Sequence, residues 1–466
     1  MKLKTIVTFL YLCISLLAFL SLDCEPEVWI SFSLSFIVIT SIAYYHLNIE
    51  NNFSPFLTSF AIFNYLFFFI APIFQISSIN DFNPTFENDL VYSTSSVIIT
   101  NFLIIVFNII FFFSYLYFRQ RKQAMAESIK FEANSNYNTP LVVLAILFFS
   151  FIILYINYDY IINNIFESVY AVSKESTSSL LLRKKFLFFV PLGGVVVAFN
   201  YLKRKGKINI NTVVIFISFI IFLALLFFFK NIFTEKRNTL GPIYITLIYL
   251  FFPKWLNSNA KFFLFLFLSM VVAFPLLSTL THIDASLNQI VENPILIYES
   301  FIRFGSISGA FESLHYDAFS NIMATIEYVS ANGVTWGYQF LGVCLFFVPR
   351  SFWTTKPISS GELIGDYLME TTPRTFTNLS NAIVSEGYIN LGFLGVIFMA
   401  IILAYFIVKF MQWHRSGDYL KEFIAFYFAI HLIFLLRGDL TNGFSYFVGP
   451  LLSVYFLPKI LIKTLK

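Results

Sequence analysis

Runs of apolar residues follow one another almost without break along this chain. Those long enough to cross roughly 30 Å of hydrocarbon, about 20 residues each, fall near 5–22, 28–45, 56–76, 92–118, 140–157, 186–202, 212–230, 239–255, 262–281, 387–409, 422–436 and 445–463. The pattern predicts about twelve membrane-spanning helices. One long polar stretch, 282–386, interrupts it and divides the chain into nine spans (1–281), a large loop (282–386) and three spans (387–466). Within the loop, 287–304 and 309–329 place apolar residues at intervals of three and four, which predicts amphipathic helices on an interface. The run 338–348 is apolar but short, and is expected to re-enter rather than cross. Residues 358–379, rich in Ser, Thr, Gly and Pro, are expected to form a mobile lid.

Composition agrees with that periodicity. Hydrophobic residues make up 58% of the chain, charged residues 12%, and the mean hydropathy is +0.77, whereas a soluble domain is about half apolar and a quarter charged. The fold class is therefore an all-α polytopic membrane protein. The 63 Phe read as lipid-facing filler. Lys2 and Lys4 before the first apolar run resemble a signal peptide, but the run is long and Asp23 spoils the cleavage box before Cys24, so an uncleaved first span is expected. Cys13, Cys24 and Cys344 have neither metal-ligand nor disulfide spacing, and neither a metal nor a cofactor is expected.

Basic residues in short loops set the orientation. With the N-terminus cytoplasmic, 18 of the 30 Lys and Arg lie inside, and only five of the 26 acids accompany them. Both termini are then cytoplasmic and the long loop faces outward, in a bacterial inner membrane. No nucleotide is found on that side, and the chain has no GxxxxGK[ST] phosphate loop. There is no Asp-x-Asp pair for a metal and a sugar nucleotide; Glu25-Pro-Glu27 and Glu87-Asn-Asp89 come nearest and read as solvated loop charges. A substrate handled here must arrive already activated, most simply as a lipid diphosphate, and nucleic acid is not an expected partner.

The outward cations suit such a ligand. Arg303, Arg350, Lys356 and Arg374 lie in the loop, and Arg237 and Arg437 lie where spans reach the same surface. Arginine's planar fork binds phosphate oxygens in pairs. The plainer account is that arginines at helix ends snorkel to headgroups. Pro349 and Trp353 around Arg350 favour a fixed turn over a flexible end.

The run GYQFLGVCLFFVPRSFWTTKPISSGELIG, 337–365, resembles the signature of bacterial oligosaccharide repeat-unit polymerases of the O-antigen polymerase (Wzy) type: an apolar run, Pro-Arg-Ser-x-Trp, then Lys-Pro. The resemblance extends through HYDAFSNIMATIEYV (315–329) and SEGYINLGFLG (385–395), with shorter echoes at Lys236-Arg237-Asn238 and Leu436-Arg437-Gly438. It implies a GT-C-like enzyme, independent of metal, that joins undecaprenyl-diphosphate-linked oligosaccharides by moving the growing glycan from its carrier onto the non-reducing end of a new lipid-linked unit. A chain-length regulator of the Wzz type is an implied partner, alongside the lipid-linked substrates and membrane lipid. Under that reading Arg350, Lys356, Arg374, Arg303, Arg237 and Arg437 bind diphosphate. Glu386, then Asp317 and His315, are candidates for the general base, and Trp353 and Tyr388 for sugar stacking. An O-antigen ligase remains a rival within the same chemistry. A flippase of lipid-linked sugars is a rival from another class, although His431 is almost the only ionisable residue deep in an expected span.

Overall fold

The computed structural model describes residues 2–80, 93–126, 139–166, 182–204, 208–232, 235, 237–273, 289, 292–303, 311, 314–374, 376–377 and 379–465. Among the described residues the chain is helical and holds no strand. Ten helices are long and apolar enough to cross a membrane: α1 Leu3–Leu20, α2 Pro26–Ile49, α3 Pro55–Ser77, α4 Thr94–Arg121, α5 Thr139–Asn163, α6 Leu182–Arg204, α7 Ile210–Phe229, α14 Ile383–His414, α15 Tyr419–Arg437 and α16 Leu440–Thr464. Between α7 and α14 lie α8 Arg237–Phe251, α9 Asn259–Ala273, α10 Ile295–Arg303, α11 Ala318–Asn332, α12 Tyr338–Cys344 and α13 Ser360–Thr371. The protein is a multi-pass membrane protein.

Two of the twelve expected spans, α8 and α9, are represented among the described residues by helices of 15 residues each. At 1.5 Å per residue, the 15 residues of α8 reach only about 22 Å. Both short helices nevertheless connect the same two ends of the bundle as their longer neighbours. The Tyr244 hydroxyl of α8 donates to the Lys230 carbonyl at one end, while Asn259, at the start of α9, donates to the carbonyls of His46, Glu50 and Asn52 at the other. The far part of α9 returns to the first end, where its Met270 carbonyl accepts from the Tyr316 hydroxyl.

Helix α3 is buried over nearly all of its length and lies inside the bundle. Pro55 fits its first turn, where a missing N–H costs nothing. The phenylalanines divide between the two settings: Phe9, Phe102, Phe113 and Phe148 are exposed on helix surfaces, whereas Phe32, Phe56, Phe60, Phe63, Phe68, Phe69, Phe107, Phe111 and Phe188 are fully buried, and Phe60 stacks on Phe111 at 3.8 Å between centroids. Lipid is as apolar as these rings, so what holds them between helices is van der Waals and ring-ring packing rather than escape from water.

The polar stretch also departs from expectation. Helix α11 does not lie on an interface; residues 318–326 are all buried, and the helix packs against α4, α13 and α14. Of the other expected amphipathic segment, 295–303 is helical as α10. The segment expected to be a lid is instead a capped, packed helix with a return strand of chain. Ser359 accepts from the Glu362 amide, and Gly361 and Gly365 let the backbone of Leu379 and Thr377 lie directly on α13. The short run at 338–348 forms the seven-residue α12, which packs on α14 and α16.

Helix α14 is broken near its start. Leu391 leaves helical geometry and Gly392 takes φ +60, a value that favours glycine. The short segment 383–390 folds back so tightly that a Cβ on Gly387 would lie 2.5 Å from the Gly395 carbonyl oxygen. That break turns Glu386 toward the polar end of the bundle.

Candidate functional site

The polar end formed by α6, α8, α11, α15 and the start of α16 gathers charged residues from stretches far apart in the chain. Asp317 is the N-cap residue of α11 and is buried. Its Oδ1 accepts from Arg437 Nη2 at 3.0 Å and from the Ser380 hydroxyl at 2.6 Å. Arg437 ends α15, so the ion pair ties that helix to the loop region. Two residues before Asp317, the His315 ring lies against Arg237 at the first turn of α8, with Nη2 3.2 Å from Nδ1 and 3.3 Å from Nε2. Arg437 stands close enough to Arg237 to repel its charge. Tyr316 sits among them. Burial pushes its phenol up, while Arg237 and Arg437 both pull it the other way.

Two guanidinium groups held together in a mostly buried setting carry an electrostatic cost, part of which Asp317 offsets. An incoming dianion would offset more of it. The arrangement has the charge and geometry to suit an anion, with a carboxylate and an imidazole beside the cations.

Glu386 is fully buried and its Oε1 is spent on structure. It accepts from the Ser360 hydroxyl at 2.5 Å and from the Leu440 amide at 2.7 Å. The carboxylate thus joins the starts of α13, α14 and α16. Next to it, Asp439 caps α16 by accepting from the Asn442 amide at 2.8 Å, and burial raises its pKa.

Arg350 and Lys356 close their own loop. Arg350 donates to the carbonyls of Lys356 (2.6 Å) and Pro357 (3.3 Å), and Lys356 Nζ donates to those of Phe346 (2.7 Å) and Val348 (2.9 Å). Partial burial, and then Arg350 beside it, lowers the Lys356 pKa. Trp353 donates from Nε1 to Thr355 Oγ1 at 3.2 Å and meets Tyr338 edge-on; the Tyr338 hydroxyl bonds the Thr355 carbonyl. The PRSFWTTKP string is a knot of hydrogen bonds around one turn. Arg374 is buried with its guanidinium 4.6 Å from the Phe376 ring centroid. Tyr388 is half-buried and packs against the hydrophobic core. The side chain of Arg303 lies outside what the structure describes, although its backbone ends α10. The contacts thus place the expected cations in separate groups, Arg237 with Arg437 and Arg350 with Lys356.

A further charged group adjoins this end and was not expected as part of a site. Lys230, fully buried just after α7, pairs with Glu235 at 3.3 Å and donates to the Lys184 carbonyl; Lys184 also faces Glu235 at 3.6 Å. Burial lowers the Lys230 pKa, and Glu235 opposes that. Lys185 donates to Ser445 Oγ at 2.5 Å. The signal in the sequence was the Arg183-Lys184-Lys185 triplet at the very start of an apolar run. At the opposite end of the bundle Glu50 binds His46 (2.9 Å), Arg119 (2.8 Å) and Tyr115 (2.8 Å). Among the described residues no group of three or more His, Cys, Asp or Glu is placed to hold a metal ion. No family model, no curated protein and no solved structure matches this chain.

Proposed function

We propose that this protein polymerises lipid-diphosphate-linked oligosaccharides at the outer face of a bacterial inner membrane, as a GT-C-like glycosyltransferase. The observation that carries the reading is the convergence of Arg237, His315, Asp317 and Arg437 at one polar end. Three of the stretches that resemble repeat-unit polymerases supply these residues. The basic loops, with Arg119, Lys203, Arg204, Lys421 and Lys459, lie at the other end and support an outward-facing site.

In this reading Arg237 and Arg437 bind the donor's diphosphate. The acceptor sugar's hydroxyl oxygen attacks the anomeric carbon of the donor glycan. The bond from that carbon to the diphosphate oxygen breaks and its electron pair leaves on the diphosphate, where the two guanidinium groups stabilise it. The hydroxyl proton passes to the Asp317 carboxylate, with His315 as the nearby alternative. Glu386, bonded to Ser360 and Leu440, positions α13 and α16 in this reading, and it remains the other carboxylate at this end that could take the proton. Arg350 and Lys356 shape the loop.

Deletion of the gene, followed by gel analysis of surface glycan, tests this. A polymerase mutant retains a single capped repeat unit. Absence of all capped units with accumulation of lipid-linked polymer would indicate a ligase, and units stalled on the inner leaflet would indicate a flippase.

A further inference from the structure

Asp317 takes both of its side-chain hydrogen bonds on one oxygen. Oδ1 accepts from Arg437 Nη2 at 3.0 Å and from the Ser380 hydroxyl at 2.6 Å, and among the described residues no hydrogen bond reaches Oδ2. Pairs of arginine with a carboxylate are frequently two-pronged. This one touches the carboxylate through a single oxygen, and Ser380 occupies the other side of that oxygen.

The direction of the hydrogen bonds follows from donor chemistry. An ionised carboxylate only accepts, so the one Ser380 hydroxyl proton points at Asp317 and leaves Oγ with lone pairs alone for a further neighbour. Asn321 supplies it. Its Nδ2 donates to Ser380 Oγ at 3.2 Å and to the Ser380 carbonyl at 2.6 Å, so one amide holds both the backbone and the hydroxyl of the serine. Asn321 stands four residues after Asp317 on α11, on the same face. The helix that carries the carboxylate therefore also carries the group that clamps the serine, while Ser380 itself arrives on the stretch that Gly361 seats on α13.

The backbone around Asp317 is fixed without the serine hydroxyl. Gln75 of α3 donates to the Phe311 and Tyr316 carbonyls at 3.0 and 3.2 Å, and the Asp317 carbonyl accepts from the Ser320 hydroxyl and the Asn321 amide, each at 2.9 Å. What is left for Ser380 to set is the rotation of the carboxylate.

We propose that Ser380, clamped by Asn321, is the positioning residue that keeps the contact of Asp317 with Arg437 one-pronged and so presents Oδ2 to the acceptor hydroxyl. Without the serine hydroxyl the carboxylate can turn both oxygens onto the guanidinium fork, and Oδ2 is then occupied when the proton has to be received. The inference rests on the proposed reaction, in which Asp317 is the base, and adds to it two residues that act through Asp317 rather than on the substrate.

The test is the rate of polymerisation by the purified full-length protein in nanodiscs, with lipid-linked repeat units extracted from cells deleted for the gene, and with melting temperature as the check on folding. Ser380→Ala should lower kcat by about tenfold, the worth of one hydrogen bond to a charged group, with KM changed by less than about threefold. Ser380→Thr, which keeps the hydroxyl, should recover most of that loss. Asn321→Ala should fall in the same way, and the double variant should be no slower than the slower single one, because the two residues act in series. Should Asn321→Ala fail to fold, the Ser380→Ala and Ser380→Thr pair decides alone. Unchanged kcat in folded Ser380→Ala, an effect confined to KM, a folded Ser380→Thr as slow as Ser380→Ala, or losses that multiply in the double variant would overturn the assignment. A wild-type protein that makes no polymer would sink the proposed reaction and this assignment together, whereas a polymerising wild type whose Ser380→Ala variant keeps its kcat sinks this assignment only.

Discussion

Arg437 and Asp317, 120 residues apart in sequence, form an ion pair at 3.0 Å that joins the end of one membrane helix to the start of a buried helix from the polar loop. Asp317 is buried and Arg437 partly exposed, so the pair sits where a carboxylate needs its partner and where a ligand can still reach the cation.

Breaking that pair should be costly in two ways. Arg437→Ala is expected to lower polymer formation by on the order of 10²-fold and to reduce thermal stability, because it strands a buried carboxylate. Asp317→Asn combined with Arg437→Gln should recover part of the lost stability but none of the activity. A double-mutant cycle read by thermal unfolding in detergent, alongside a gel of the glycan, checks both halves.

Glu386→Gln should retain polymerisation. A glutamine carbonyl can still accept from Ser360 and Leu440, whereas Glu386→Leu leaves both donors buried and unpaired at about 1–3 kcal/mol each. An inactive but well-folded Glu386→Gln protein would return Glu386 to the role of general base.

Asp439 offers a pH test with a definite sign. Burial raises its folded pKa above the ordinary 3.8, so its contribution to stability is fully present below that value and is lost as pH rises toward the raised one. The buried carboxylate therefore becomes a growing cost as pH rises above the ordinary range. Asp439→Asn, which keeps an N-cap acceptor for Asn442, should leave stability at pH 7 equal or higher and flatten its decline between acidic and neutral pH. Melting temperature against pH for the two proteins measures it.

Arg350 should behave differently from Arg437. Because its donors hold the carbonyls of residues 356 and 357, Arg350→Ala is expected to make the 349–357 loop more susceptible to proteolysis and to shorten polymer without abolishing it. Limited proteolysis and glycan length distribution report the two effects.

The tight return at the start of α14 supplies a packing test. Gly395→Ala places a methyl group against the Gly387 carbonyl, so expression or thermal stability should fall by an amount typical of overpacking, about 1–3 kcal/mol. The exposed Gly417, with open space around its Cβ position but φ +73, should cost less when changed to Asn.

Membrane residence, helical class and the positions of ten spans were legible in the linear pattern, because hydrocarbon demands continuous apolar helix and that demand acts locally. Arg237, His315, Asp317 and Arg437 were legible as candidates for the same reason: charge next to an apolar run stands out. Their grouping was not. Whether a cation meets a carboxylate, as Arg437 does, or folds onto its own loop's carbonyls, as Arg350 and Lys356 do, depends on contacts between segments far apart in the chain. The same holds for α11, whose spacing read as a surface helix, and for 358–379, whose composition read as a lid; the bundle supplied neighbours for both. Local chemistry decides which segments enter a membrane, and only close packing in three dimensions decides which polar groups end up facing each other there.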